Sequence, residues 1–162
     1  MRSPETCPFS AGGRAGVRGS LYEENYGGYI NDVSLNLRRV NDGSRRGGRL
    51  AATARLNDDW SVTAGVVHQS IDAEDTHYVY RILGGLRRAN LVREPHANDF
   101  SEAYATVSGE GDWGRLDASI ASVSHRFKSR YDASTALRAF GSAARTGALD
   151  ESRDIRLVVG EA

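Results

Sequence analysis

Lysine is nearly absent from this chain, because Lys128 is the only one and arginine supplies the other positive charges. Cysteine is as scarce. Cys7 stands alone, which excludes an internal disulfide and leaves no cysteine spacing typical of a metal site. Proline occurs only 3 times, whereas glycine occurs 18 times and marks turns along the chain. We therefore interpret Cys7 as incidental and look for structure in the spacing of glycine and apolar residues.

The sequence also has no long hydrophobic run. A helix that spans a bilayer needs roughly 18 or more apolar residues in succession, so a helical membrane protein is excluded. The mean hydropathy of −0.49 does not exclude a membrane β-barrel, because its strands alternate apolar and polar side chains. The formal net charge is +0, which gives no argument for nucleic acid as a partner.

What the sequence does contain is a series of segments in which apolar and polar residues alternate. This period of two is typical of strands that separate two environments. We predict six antiparallel strands: about 14–24, Arg49–Leu56, Trp60–Asp72, Asp99–Ser108, 114 to about 130, and Asp154–Ala162.

The connections between these segments alternate in length. Short turns follow Leu56 and Ser108, whereas the other connections are long, at about 25–48, 73–98 and 132–153. Outer-membrane barrels sort their connections in this way, with short turns on the periplasmic side and long loops on the extracellular side. The pattern therefore predicts an all-β, up-and-down, antiparallel transmembrane β-barrel segment.

Each short turn ends in a tryptophan, Trp60 or Trp113. At one rim of a barrel these would form part of the aromatic girdle at the membrane interface. The alternative is a pair of core tryptophans in a soluble β-domain. The small alanine-rich strand faces favour the girdle, because a soluble core is usually filled with larger residues.

Several segments resemble the strand–turn–strand repeats of TonB-dependent outer-membrane receptors. The similar stretches are Gly47–Leu56 continuing into Asn57–Thr63, His68–Asp75, Glu94–Phe100, Arg130–Ser134, Arg18–Tyr29 and Glu151–Leu157. The resemblance extends over residues 14–162 and rests on strand patterns. It implies a location in the cell outer membrane and a β-barrel, which in a complete receptor has about 22 strands around a plug.

The same resemblance implies that parts of a receptor are missing here. We expect residues 1–13 to be an atypical, disordered leader, and residues 14–162 to be a partial receptor barrel without its plug domain. The N-terminus also lacks the apolar core of a signal peptide. The partners implied are outer-membrane lipid, a small-molecule nutrient, and the TonB energy-transducing complex acting through the plug of the parent protein.

No residue pattern points to an enzyme, a cofactor or a metal. Gly109–Gly114 spells a dinucleotide-binding motif, but a strand follows it and two acidic residues lie within it, so we interpret it as a turn. The acidic residues at 72, 74 and 75 lack the pattern of a calcium loop. The four histidines lack ligand spacing and are interpreted as surface residues.

The long loop after residue 73 contains the best candidates for contact with a ligand. Arginine can bind carboxylate or phosphate through two hydrogen bonds, and tyrosine adds stacking and a hydroxyl group. The candidates are Tyr78, Tyr80, Arg81, Arg87 and Arg88. The alternative is a loop that packs on its neighbours or contacts lipopolysaccharide phosphates.

The leading hypothesis is therefore a fragment of a receptor that takes up a nutrient such as a siderophore, cobalamin or an oligosaccharide. A fold-level resemblance does not identify which of these is carried. The alternatives are a soluble β-sandwich domain that binds a ligand, or a non-functional remnant of a receptor gene.

Overall fold

A computed structural model describes residues 5–11 and 13–162 of the chain. Most of these residues are in strands, joined by a short α-helix, α1 (Ser134–Ala139), and a 3-10 turn at Arg81–Leu83. The strands are β1 (Glu5–Ala11), β2 (Ala15–Tyr26), β3 (Asn31–Asp32), β4 (Gly43–Arg55), β5 (Trp60–Ala73), β6 (Arg87–Arg88), β7 (His96–Gly111), β8 (Gly114–Asp132) and β9 (Ala148–Glu161).

The seven long strands form one sheet in the order β1-β2-β4-β5-β7-β8-β9. Every neighbouring pair in it is antiparallel, so the chain runs up and down across the sheet. The two-residue strands β3 and β6 pair with each other in parallel, away from this sheet. The predicted all-β, antiparallel, up-and-down architecture is confirmed, and among the described residues the sheet is open, with β1 and β9 at its edges.

The strands are longer than the alternating segments predict, mainly at the end with the long loops. β4 begins at Gly43 rather than Arg49, and β9 begins at Ala148 rather than Asp154. The predicted leader, residues 1–13, lies partly outside the described residues. Its described part includes β1, which pairs with β2, so the sheet has one strand more than the six predicted.

The two faces of the sheet differ in composition, as the alternation predicts. Registered pairs such as Ala52 with Ala64 and Val62 with Val107 bring small apolar residues together on one side, which we call the apolar face. It comprises Ala15, Val17, Gly19, Leu21, Leu50, Ala52, Ala54, Val62, Ala64, Val66, Ala103, Ala105, Val107, Leu116, Ala118 and Ile120. At the same level the opposite face carries mainly arginine, threonine, serine and tyrosine on β2, β4, β5 and β7, whereas on β9 the apolar Leu157 and Val159 lie on it, opposite Val123 and Ala121.

Neither face is covered by another layer of the described structure. Only neighbouring strands make extended contacts, and the apolar side chains stay exposed, by 77% at Leu21 and 56% at Ile120. The buried apolar residues among the described side chains are Ile30 and Val40, both in a connection rather than under the sheet. The sheet is thus a single layer, and the buried interior lies among the long loops at one end.

Inside the sheet, large aromatic rings lie against glycines on the neighbouring strand. Tyr104 is paired with Gly65, and a Cβ atom added at Gly65 would lie 2.6 Å from the Tyr104 ring. The ring of Trp60 covers Gly109 in the same way, with 2.3 Å to an added Cβ. Glycine in a strand often marks such a close approach, and the aromatic ring then fills the space that the glycine leaves.

Candidate functional site

Three connections meet at the end of the sheet opposite the tight turns, and we call them together the loop cap: residues 27–42, 74–95 and 133–147. The first two are joined through backbone hydrogen bonds from Asn31 to Leu86 and from Val33 to Arg88. The third connection is anchored where β8 ends, since Asp132 accepts hydrogen bonds from the backbone amides of Leu91 and Ser134. The cap is therefore an ordered unit and not three independent loops.

Arg88 lies at the centre of the loop cap with a fully buried side chain. Its Nε donates to Asp32 Oδ2 at 3.0 Å, its Nη1 donates to Thr76 Oγ1 at 2.8 Å, and its Nη2 forms an ion pair with Asp75. Glu94 Oε2 lies 3.8 Å from Nη1. A single guanidinium thus faces three carboxylates from two loops, a geometry that its planar fork of donors suits.

The carboxylates also hold the loop backbone. Asp32 Oδ1 accepts from the amides of Ser34 and Leu35, both at 3.1 Å, and Asp75 Oδ1 accepts from the amide of Glu94 at 2.8 Å. Burying a charge is costly unless it is paired and hydrogen-bonded, and these contacts satisfy that condition. Burial lowers the pKa of Arg88, but the hydrogen bonds and charges of Asp75 and Asp32 outweigh this, and its pKa is raised above the ordinary value.

Two tyrosines and an asparagine form the layer above Arg88. Asn90 Nδ2 donates to Tyr78 Oη at 2.7 Å, and Tyr80 Oη donates to Asn90 Oδ1 at 2.9 Å. The Tyr78 ring lies 5.8 Å from the Arg88 guanidinium carbon. Partial burial and the nearby carboxylate of Glu94 raise the pKa of the Tyr78 phenol, so it remains a neutral hydrogen-bonding group.

Beyond this layer the second loop turns back on itself and exposes mixed apolar and basic side chains. Gly84 and Gly85 adopt positive φ angles of 63° and 59°, which favour glycine, and produce the reversal. Ile82 at this tip is 94% exposed, and Arg81 and Arg87 on either side are also exposed. The surface offers hydrogen-bond donors, aromatic faces and an apolar tip to a ligand or a neighbouring molecule.

The five predicted contact residues thus occupy different places. Tyr78, Tyr80, Arg81 and Arg87 lie at the outer surface of the cap, where contact with a ligand stays a prediction. Arg88 lies beneath them, and its visible contacts are with the cap itself. The buried partners that organise the site, above all Asp32, Asp75, Asn90 and Glu94, were missed, because no periodic signal connects residues as far apart as Asp32 and Arg88.

The two tryptophans lie at the other end of the molecule. Trp60 begins β5 and Trp113 lies in the turn before β8, with ring centroids 6.4 Å apart. Trp113 is 66% exposed. A place in a membrane-interface girdle stays a prediction for both residues.

A cleft of about 620 Å³ lies between the sheet and the loop cap. It is lined by side chains of both charges, including Asp72, Lys128, Arg130 and Asp150, of which Arg130 and Asp150 form an ion pair at 2.6 Å. Among the described side chains, those of residues 13–162, no three from His, Cys, Asp or Glu come together in a group that could hold a metal ion. The charged side chains of the cleft are suited to polar contacts.

No helix in the described part of the chain has the length and apolar character needed to cross a bilayer. No protein-family model, curated protein or solved structure matches the chain.

Proposed function

We propose that the chain forms a section of the wall of an outer-membrane β-barrel receptor of the TonB-dependent kind, with the loop cap on the extracellular side. The main support is that the sheet is a single layer with an exposed apolar face. A soluble sandwich needs a second layer over that face. Hydrocarbon chains of lipid can cover it instead, since a bilayer solvates small apolar side chains and every interior strand satisfies its backbone groups within the sheet.

The tight turns descend along the sheet from one strand to the next. One line of directly opposite residues crosses five strands of the sheet. It passes through Ala15, Ala54, Val62, Val107 and Ala118. Ala15 is the first residue of β2, whereas Ala118 is preceded by four residues of β8 that begin with Gly114. The turn end has therefore moved by four residues over four strand-to-strand steps.

The upper border of the apolar face descends by the same total between β2 and β8, and is level across β4, β5 and β7, where Leu50, Val66 and Ala103 are directly opposite one another. The last apolar residue before the face becomes polar is Leu21 on β2, Val66 on β5 and Ile120 on β8. These lie six, four and two residues above the line of opposite residues through Ala15, Val62 and Ala118. A shift of one residue, about 3.3 Å, per strand spacing of about 4.8 Å corresponds to strands tilted by roughly 35°.

A tilt of about 35° to 45° is typical of strands in transmembrane barrels. If the apolar band is set parallel to the membrane plane, the tight turns also form a level rim. At the border away from the tight turns, the next residue on the same face of each strand is polar: Glu23 after Leu21, His68 after Val66 and Ser122 after Ile120. The rim of tight turns and the upper border of the apolar face thus support the same orientation of the sheet in a bilayer. In this orientation Trp60 lies at the membrane interface on the side of the tight turns.

Strand directions indicate how such a barrel would be completed. Because alternate strands run in opposite directions, β1 and β9 at the two edges of the seven-stranded sheet run in the same direction. An antiparallel barrel closes on itself only with an even number of strands. The proposed barrel therefore contains at least one strand beyond these seven.

In the proposed receptor, the loop cap takes part in capture of the nutrient. The buried Arg88 cluster holds the second loop in one conformation, and this loop presents Tyr78, Tyr80, Arg81 and Arg87 outward. A siderophore, cobalamin or an oligosaccharide fits such polar and aromatic contacts. Passage inward would depend on a plug and the TonB energy-transducing complex, which the resemblance implies for the parent protein.

A pair of adjacent alanines tests whether the apolar face meets lipid. Ala52 lies on the apolar face and Ala51 on the opposite face. With the full chain folded into phosphatidylcholine vesicles, we expect Ala52→Lys to destabilise the sheet by about 2–4 kcal/mol, as lysine near the bilayer midplane does. We expect Ala51→Lys to cost no more than about 1 kcal/mol, from the like charge of Arg18 directly opposite it. Urea unfolding followed by tryptophan fluorescence measures both.

The same chain in detergent-free buffer provides the contrasting result. The proposal predicts aggregation there, because an apolar face and two open strand edges are exposed to water. A monomer that unfolds cooperatively without detergent, with equal effects of the two lysine substitutions, would contradict the membrane assignment. It would favour the soluble β-domain instead.

A further inference from the structure

The opposite face of the sheet holds an arginine in a fixed position. Arg49 Nη2 donates to Tyr104 Oη at 2.7 Å, and its guanidinium carbon lies 5.6 Å from the Tyr104 ring centroid. Tyr104 is two strands away from Arg49, and its ring reaches across because Gly65 between them has no side chain. The ring and its hydroxyl group thus orient the guanidinium in advance.

A second arginine stands next to the first. Arg18 is paired with Ala51, and Arg49 is paired with Ser20, so the two arginines are diagonal neighbours on adjacent strands. Diagonal neighbours in an antiparallel pair lie about 7–8 Å apart, within reach of one ligand held between two long side chains. The residues directly opposite them, Ala51 and Ser20, are small, which leaves the space between the two guanidinium groups open.

Both arginines are exposed, and no carboxylate among the described side chains forms an ion pair with either. Glu102 is on the same level, but Val67 stands between it and Arg49 in the register. Arg115, on the same face, differs because it is neutralised by Asp117 at 2.7 Å. Arg49 uses one N–H group on Tyr104 and keeps four of its five donors for another partner.

We propose that Arg49, Arg18 and the Tyr104 platform form an anion-binding site for a small carboxylate- or phosphate-bearing solute. The planar fork of Arg49 matches two oxygens of such a group, and Arg18 supplies a second positive charge from the adjacent strand. Ser20, directly opposite Arg49 and two residues along β2 from Arg18, offers a hydroxyl group on the same face as a further donor. The site depends on the side chains of the opposite face, so it does not rest on the proposed membrane function.

Titration calorimetry with citrate and with inorganic phosphate tests the site. The full chain is used in uncharged alkyl maltoside micelles, or in buffer if the chain is soluble without detergent. Anion binding can then be tested whether or not the membrane assignment is correct. We expect saturable binding of one anion per chain, weakened about tenfold or more by Arg49→Gln. Arg49→Lys keeps the charge but loses the fork, and we expect it to weaken binding nearly as much.

Two further variants distinguish a specific binding site from general attraction of anions to a positively charged surface. Arg115→Gln removes the same charge from the same face but from an existing ion pair, and we expect binding to be unchanged. Tyr104→Phe keeps the ring and removes the hydroxyl group that orients Arg49, and we expect an intermediate loss. Absence of saturable binding of either anion, or equal losses in Arg49→Gln and Arg115→Gln, would overturn the proposal.

Discussion

Replacing Arg88 with methionine is the sharpest perturbation that the loop cap allows. The substitution keeps an unbranched apolar stem but removes the guanidinium from a site where Asp32, Asp75 and Glu94 are all buried. Removing one partner of a buried ion pair costs about 3–5 kcal/mol, because the remaining charge is left uncompensated. Here three carboxylates lose their common counter-ion, so we expect at least the lower figure as a loss of cap stability.

Hydrogen exchange of individual amides measures this loss locally. The amide of Asn90 donates to Asp32 and the amide of Glu94 donates to Asp75, so both report directly on the cluster. A local loss of 3–5 kcal/mol corresponds to exchange faster by roughly 150- to 5000-fold. Amides in the ladder between β5 and β7 serve as the internal reference, and we expect them to change little.

Arg93→Met is the matched control. Arg93 also contacts the buried Asp75, at 3.6 Å, but its own side chain is 45% exposed and its second ion pair, with Glu74, is accessible to solvent at both partners. Exposed pairs contribute about 0–1 kcal/mol, so we expect exchange at Asn90 to rise by less than about tenfold. Equal effects of the two substitutions, or unchanged exchange in Arg88→Met, would refute the view that Arg88 holds the cap together.

Two other predictions concern the sheet and its junction with the cap. Gly65→Ala should destabilise the sheet by about 1–3 kcal/mol in urea unfolding, because its Cβ would lie 2.6 Å from the Tyr104 ring. Gly19→Ala should be neutral or slightly stabilising, because its Cβ would meet Leu50 at an ordinary 3.7 Å. Hydrogen bonds from Ser134, Leu91 and Val92 outweigh burial and lower the pKa of Asp132, so its contribution to stability is present above about pH 4 and lost as pH falls through the lowered pKa. The protection of the Leu91 amide, measured as exchange relative to the intrinsic rate at each pH, should therefore fall on acidification, and Asp132→Asn should remove that pH dependence.

The strand interiors could be predicted from sequence because each lies between two different environments. Leu50, Ala52 and Ala54 alternate with more polar residues for this reason, and the structure places them on one face. The same principle explains why the strand ends were missed. At Gly43–Gly48 the alternation disappears, yet β4 continues because its backbone pairs with β2 on one side and β5 on the other. The pattern of residues within one segment does not reveal hydrogen bonds to a strand that is distant in the sequence.

The loop cap lay beyond prediction for a related physical reason. Arg88 and Asp32 are 56 positions apart, and no period connects them. Arginine and tyrosine in a long loop predict contact with a ligand, but the sequence does not distinguish side chains that are exposed from side chains that are buried within the loop. Only the fold distinguishes Arg87, which is exposed, from its neighbour Arg88, which is buried.

The glycines at 47 and 65 illustrate how a sequence signal becomes informative once the register is known. Either glycine could mark a bulge, a bend or a close approach when only the sequence is considered. In the sheet Gly47 is opposite Tyr22 and Gly65 is opposite Tyr104, and both tyrosines lie over their glycines. The Tyr22 hydroxyl thereby reaches Gln69 at 2.7 Å, just as Tyr104 reaches Arg49. The missing side chains of two glycines thus determine where polar groups two strands apart can meet, and they connect the packing of the sheet to the proposed anion site.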